Sequence, residues 1–416
     1  MTKLKILIKN LGPGLLFASM AIGTSHLVLS TKAGAQYGWL MIIPIILANV
    51  LKYPFFEFGV RYTNVTNKTL IEGYLNRGKG YLWFYAFITL ISTFTILATL
   101  YVVTSGLFIN LFKIPNTSVS LVALGLFAFI SALLIIGKYK FLESSLKFVI
   151  SILFIALILT TTMVVFKGSI VPSKDFVPLP IFNEVGILFL IGLVGWMPTA
   201  VEASSWISLW SLEKFKITNN KLSLKEALQE FNIGYLLTGI LAVFFMIIGW
   251  MTLYGSNTII SGNAVAFSDQ LILMFTTHIG RWTYVFIATA AFATMFSTCM
   301  TAHDALARVS LDIIGLLSPK TKPNKMQFAL AVIVLSIVNF VVITAFSANM
   351  GKLVAMATFV SFVLAPIIGY MNLKNVMSTD LPISYQPGKG LRILTYTGIV
   401  FLTFFAIYYC WMVLFK

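Results

Sequence analysis

Charge is what this 416-residue chain has least of: Asp, Glu, Lys and Arg make up 10% of it, against roughly 25% in an ordinary soluble protein. That shortage excludes a water-facing shell. Cysteine is nearly absent. Cys299 and Cys410 are the two, both in apolar runs, which excludes a disulfide framework and a cysteine-built metal site. Histidine occurs three times, and acidic residues number 13. No metal-ligand cluster, nucleophile–base pair or phosphate loop stands out, so neither an enzyme nor a bound cofactor is expected. What is present is apolar: 59% of residues are hydrophobic and the mean hydropathy is +0.93. A lipid bilayer is the solvent that tolerates this composition. With no water in the hydrocarbon to bond backbone groups, each span satisfies its own as a helix.

Apolar runs of spanning length, about 20 residues, predict eleven transmembrane helices at 12–36, 38–62, 82–112, 118–137, 141–166, 184–211, 229–254, 283–310, 326–347, 350–374 and 392–414. The net charge of +16 would suggest nucleic acid in a soluble chain, but here the basic residues sit in short loops. One side receives Lys3, Lys5, Lys9, Lys68, Arg77, Lys79, Lys138, Lys140, Lys214, Lys216, Lys221, Lys225, Lys320, Lys322, Lys325, Lys374, Lys389 and Arg392. The other receives little beyond Lys113, Lys167, Lys174, Arg281, Lys352 and Lys416. The positive-inside rule then places the N-terminus in the cytoplasm and the C-terminus outside, in a multi-pass cell (inner) membrane protein. No cleavable signal is apparent. The loops near 167–183, 212–228 and 255–282 are expected to be short extramembrane pieces. No soluble domain and no obligatory protein partner are expected.

Two spans are interrupted. The first carries Gly12-Pro13-Gly14 at its start and Gly23-Thr24-Ser25-His26 in its middle, and the sixth carries Gly195-Trp196-Met197-Pro198-Thr199. Proline removes a backbone donor, and glycine and small hydroxyl residues weaken a helix locally. Each break opens a group of five spans, the pattern of transporters built from two inverted repeats that hold substrate between broken helices at the midplane. The expectation is a single transmembrane domain, 1–416, with a first repeat over 1–166, a second over 184–375, and span 11 at 390–416.

The run from Gly12-Pro13-Gly14-Leu15 to Ala33-Gly34-Ala35-Gln36-Tyr37-Gly38 resembles the first helix of the Nramp divalent-metal transporters. Met197-Pro198 resembles their sixth-helix Met-Pro-His signature, and Tyr139-Lys140-Phe141-Leu142-Glu143 the start of their fifth helix. The resemblance implies an all-α LeuT-type 5+5 inverted-repeat fold with broken helices 1 and 6, and secondary active transport. The departures fall on the ligands. The family's Asp-Pro-Gly-Asn reads Gly23-Thr24-Ser25-His26 here, a later glutamate is Lys32, the Met-Pro-His histidine is Thr199, and the second histidine falls at Ser204. Span 82–112 has no acidic residue.

A divalent cation needs oxygen anions to offset its lost hydration. Removing the Asp and adding Lys32, six residues or about 9 Å of helix beyond His26, weighs against it. No metal ligand set is assigned. Broken helices present free N–H groups and a positive dipole end, and Thr24, Ser25, His26 and Thr199 add donors. The first expectation is therefore a small, bicarbonate-like inorganic anion coupled to Na+ or H+. The alternative is a proton-linked Mn2+, Fe2+ or Mg2+ transporter, as in the family. The expected substrate residues are Gly23, Thr24, Ser25, His26, Met197, Pro198, Thr199 and Ala200. The expected coupling or pathway residues are Lys32, Glu202, Ser204, Ser297 and Thr298, the last two because span-8 hydroxyls in LeuT-type folds resemble a sodium site. Glu202, at bilayer depth, reads as an ion ligand, a proton carrier, a relocated metal carboxylate or a partner for Lys32. Glu57 and Arg61 read as a structural i,i+4 pair. His303 and Asp304 read as a gate or relay, or as solvated interfacial groups.

Overall fold

The computed structural model describes residues 12–114, 116–137, 139–218, 221–256, 258, 260–318, 324–346 and 349–415, apart from the side chains at 139–150, 275, 277–279 and 413–415. Lys3, Lys5, Lys9, Lys138, Lys320, Lys322 and Lys416, and the side chains of Lys140 and Glu143, lie outside the described residues. Among the described residues every regular element is a helix. Among the described residues eight helices are long and apolar enough to cross a bilayer, and the pair Pro13–Ala21 and Ser25–Tyr37, bent by 45°, makes a ninth. The eight are Trp39–Thr66, Lys79–Phe112, Val119–Ile136, Leu224–Leu253, Arg281–Leu317, Lys325–Ala345, Met350–Val376 and Lys389–Met412. The expected fifth span is the single helix Tyr139–Lys167, and the sixth is divided into Glu184–Trp196 and Ala203–Thr218. Spans are numbered 1 to 11 in this order below.

Two further helices occur where loops were expected. Leu70–Arg77 joins spans 2 and 3, with the Thr69 hydroxyl accepting from the Glu72 N–H. Ala264–Ile279 falls inside the region 255–282, started by Asn263, whose side chain accepts from the N–H groups of Val265 and Ala266. Hydropathy passes over both because neither is long enough to span, while the capping residues that start them are local signals.

The outer surface is apolar where a soluble protein's would be polar. Phe166, Phe286, Ile136 and Leu330 all stand out from the bundle. Between spans, association relies on close packing rather than on a hydrophobic drive, so small residues mark the tightest seams. The second half of span 1 lies on span 7. A Cβ added at Gly34 would meet the Met246 carbonyl oxygen at 1.9 Å, and one at Gly249 would meet the Thr31 carbonyl oxygen at 2.1 Å. The second half of span 6 lies on span 2 in the same way, with a Cβ at Gly59 only 2.4 Å from the Ser204 carbonyl oxygen. Exchanging span 1 for 6 and 7 for 2 converts one seam into the other, as a five-plus-five inverted repeat requires.

Outside the spans, Asp380 ties the segment after span 10 to the loop between spans 2 and 3. It accepts from Tyr62 Oη at 2.9 Å and from Arg77 Nη2 at 2.8 Å. Burial pushes its carboxyl up, but the hydrogen bonds from Tyr62 and Asn76 and the charges of Arg77 and Lys68 outweigh burial and hold it below the ordinary carboxylate value. A depressed carboxylate stabilises the fold above the unfolded pKa, about 3.9, and that contribution is lost as pH falls through the folded value. Asp380→Asn is therefore expected to unfold earlier than the parent at neutral pH. The gap between the two midpoints should close as a detergent-solution thermal melt is repeated below about pH 4.

Candidate functional site

The break in span 1 comprises Ile22, Gly23 and Thr24 between two helical halves. Gly23 is there because a side chain would collide with span 8: an added Cβ would lie 2.7 Å from Thr298 Cγ2. The first half begins with Pro13, whose missing N–H costs nothing in the first turn. The free N–H groups of Gly12 and Gly14 both donate to Glu230 Oε1, at 2.7 and 2.8 Å. The second half starts as one π-type turn, Ser25–Ser30, before continuing as α-helix to Tyr37.

At this break His26 is wholly buried. Its Nε2 lies 2.9 Å from the Thr238 carbonyl oxygen of span 7, which only accepts, so Nε2 carries the proton. Its Nδ1 meets Ser25 Oγ at 2.8 Å. Both ring nitrogens are thus engaged within the protein. Ser25 Oγ also approaches the Ala21 carbonyl at 2.8 Å and the Pro198 carbonyl, across in span 6, at 3.2 Å. Thr24 is different: it is 1% exposed, and its Oγ1 has no hydrogen-bond partner.

The break in span 6 runs from Met197 to Glu202, with a cis Met197–Pro198 peptide. Met197 and Ala200 are buried, and Thr199 Oγ1 donates to Met20 Sδ of span 1 at 3.3 Å. The two breaks therefore touch, Ser25 against Pro198 and Met20 against Thr199. Lys52 of span 2, which the sequence reading passed over, ends here. Its side chain is fully buried, and Nζ donates to the carbonyls of Val194 and Gly195 at 2.9 Å each and of Thr199 at 3.2 Å. Three acceptors that cannot themselves donate take three N–H bonds, the full complement of an ammonium. Val194 and Gly195 lie in the last turn of the half-helix Glu184–Trp196, its negative dipole end. The signal that would have found Lys52 is a cation alone in an apolar run, Val50-Leu51-Lys52-Tyr53.

Glu202, at the end of the break, is 1% exposed. Its Oε1 accepts from Ser92 Oγ of span 3 at 2.7 Å, and Ser361 of span 10 adjoins the same carboxylate. The charge that faces it is Lys52. Lys32 is instead seated over the Phe189 ring, 5.9 Å from its centroid, in the first half of span 6. Ser204 lies beyond the break, its hydroxyl accepting from Asn372 Nδ2 of span 10 at 2.9 Å.

On span 8, Ser297 Oγ and Ser19 Oγ are 3.2 Å apart. Thr298 Oγ1 faces three carbonyl oxygens: Ser19 at 2.9 Å, Thr294 at 3.0 Å and Ile22 at 3.4 Å. Further along, His303 is buried between Tyr101 Oη at 2.9 Å and the Val332 carbonyl at 3.0 Å. Asp304 accepts from Trp210 Nε1 at 3.0 Å and Arg308 Nε at 2.8 Å, a buried rather than solvated placement. Glu57 and Arg61 form the expected i,i+4 pair. No group of three or more His, Cys, Asp or Glu that could hold a metal ion occurs among the described residues.

Two cavities of mixed lining adjoin the ends of spans 6 and 8. One of about 330 Å³ is lined by Asn64, Lys214 and Glu230 together with Val60, Phe215 and Leu222 among others. One of about 640 Å³ is lined by Glu72, Glu213, Asp304, Arg308 and Asp312 among others.

The family model described as natural resistance-associated macrophage protein-like matches residues 14–412. An uncharacterised protein of Pasteurella multocida is 32% identical over 401 residues, which are 95% of this chain and 90% of that one. A mutant of the Eremococcus coleocola manganese transporter superposes with a TM-score of 0.72 at 14% identity, over 98% of this chain and 87% of that one. A nucleobase-cation-symport-1 family transporter in a closed conformation gives 0.62 at 12% identity, over 95% and 90%. A Na+-coupled sialic acid symporter gives 0.59 at 16%, over 95% and 89%. These likenesses fix a LeuT-type all-helical fold. The chain belongs to the Nramp family, and it is a multi-pass membrane secondary transporter, not an enzyme.

Proposed function

We propose that the protein moves a small inorganic anion of the bicarbonate type by alternating access, bound between the breaks of spans 1 and 6 and coupled to Na+ or H+. The observation that supports this most is how the four helix ends at the breaks are used. Two are negative. The end of Glu184–Trp196 is covered by the Lys52 ammonium. The end of Pro13–Ala21 offers the Ser19 and Ile22 carbonyls to Thr298. Two are positive, the starts of Ser25–Tyr37 and Ala203–Thr218; the second already has the buried Glu202 before it and its first N–H groups bonded to the Ala200, Val201 and Glu202 carbonyls, so the first is the end that favours added negative charge. At the start of Ser25–Tyr37 the orphan Thr24 hydroxyl supplies a donor, and residues 12–37 carry no carboxylate.

One hydroxyl proton cannot serve the three carbonyls around Thr298 at once, and a cluster of oxygens is what a hard cation takes. Coupling at that point would drive an anion inward against the membrane potential, about 2.3 kcal/mol per charge per 100 mV. In this reading the end with the basic loops, and so the N-terminus, is cytoplasmic.

A divalent-metal substrate is the second reading. Family membership favours it, as does the likeness to a manganese transporter, and Met197 keeps a sulfur at the break. Against it stands the span-1 break, where Gly23 takes the place of the family's Asp, because a divalent cation needs oxygen anions to offset its lost hydration.

Uptake of labelled bicarbonate into proteoliposomes, with and without an inward Na+ gradient, tests the proposal. Stimulation by the gradient is expected. Thr298→Ala should raise the Na+ concentration for half-stimulation about tenfold, equivalent to ~1.4 kcal/mol. Equal uptake by protein-free vesicles would refute the anion reading.

A further inference from the structure

We propose that Lys52 is a tethered cation: its ammonium occupies the place at the span-6 break that a free cation would otherwise take, and it closes that break to Na+ and to metal ions. Three carbonyl oxygens at 2.9, 2.9 and 3.2 Å from one centre form the kind of oxygen cluster that receives a small cation. Val194 and Gly195 lie before the interruption and Thr199 within it. A buried carboxylate, Glu202, faces the same charge. Oxygen ligands plus one nearby negative charge would hold a monovalent ion. Here the positive charge arrives on a side chain from span 2, so it cannot be exchanged or carried. Lys52 and Glu202 then offset one another at the break, and the exchangeable cation is confined to the Thr298 side.

The inference concerns only which cation the Val194, Gly195 and Thr199 carbonyls can take, and it rests on the geometry at Lys52 rather than on the identity of the transported solute. It is tested without substrate, by thermal unfolding of the full chain in detergent. In Lys52→Met, which keeps the length and loses the charge, the carbonyls are freed. Replacing N-methyl-D-glucamine with Na+ is expected to raise the unfolding midpoint of Lys52→Met by several degrees more than it raises that of the parent. An equal Na+ effect in the two proteins overturns the proposal, because a side chain that merely packs there would leave ion dependence unchanged. Lys52→Ala provides the second arm. n-Propylammonium should restore at least half of its lost midpoint and n-propanol should not. Equal recovery by both, or by neither, also overturns it. The anion reading fails on separate grounds, by the absence of bicarbonate uptake, so the two failures are told apart.

Discussion

Thr24→Val is expected to unfold no earlier than the parent and to transport at least tenfold more slowly. The two shapes are nearly equal, so the substitution leaves no cavity. The threonine hydroxyl is buried and unpartnered. A buried polar atom without a partner costs about 1–3 kcal/mol, and replacing it with a methyl group removes that cost. The midpoint should therefore stay level or rise. A protein keeps such a group where something else uses it, and the hydroxyl stands at the start of the half-helix Ser25–Tyr37, where a bound anion would be met. Losing one donor to a charged ligand is worth about 1.5–3 kcal/mol, ten- to a hundredfold in affinity. Flux in proteoliposomes and a thermal melt of the same preparation check both halves. A stable Thr24→Val with full flux would remove Thr24 from the site. His26→Ala would not separate the two effects so cleanly, because both imidazole nitrogens hold the fold together through Ser25 and Thr238.

Gly34→Ala is expected to be severely destabilising. The added carbon would sit 1.9 Å from the Met246 carbonyl oxygen and 2.7 Å from the Trp250 nitrogen, both main-chain atoms of span 7 that cannot rotate away. Overpacking costs typically 1–3 kcal/mol where side chains can yield. Here helix axes must separate, so the upper end or beyond is expected. Gly249→Ala meets the Thr31 carbonyl from the other side of the same seam and should behave alike. Gly80→Ala, with open space around it, serves as the control. The yield of monodisperse protein and the unfolding midpoint measure the difference. If Gly34→Ala melts like Gly80→Ala, the close approach of spans 1 and 7 is wrong.

The spans and the two interruptions were legible because their causes are local. Apolar runs of spanning length name the helices, and Gly23 and Pro198 name the breaks. The loss of Asp and His at the family's ligand positions was legible for the same reason. Lys52 was not: its acceptors are 142 to 147 residues away, and nothing adjacent in sequence reports them. Glu202 shows the same limit. Its depth was evident, but the cation facing it was sought at Lys32, which rests over Phe189 instead. Glu230, which holds the start of span 1 from 218 positions away, reads locally as an ordinary acidic residue near a helix start. Residues placed by the chain are legible, whereas partners placed by packing are not.

The central claim is that the paired breaks are built for an anion, with their negative helix ends already covered. The most direct test presents both substrates to one batch of proteoliposomes under an inward Na+ or H+ gradient. Internal pH is followed after bicarbonate is added, and a trapped metal-sensitive dye after micromolar Mn2+. The account predicts a gradient-dependent pH change with bicarbonate, reduced by Thr24→Val, and no dye response above protein-free vesicles. Robust Mn2+ entry at micromolar concentration, with no bicarbonate-driven pH change, would contradict it and restore the metal substrate.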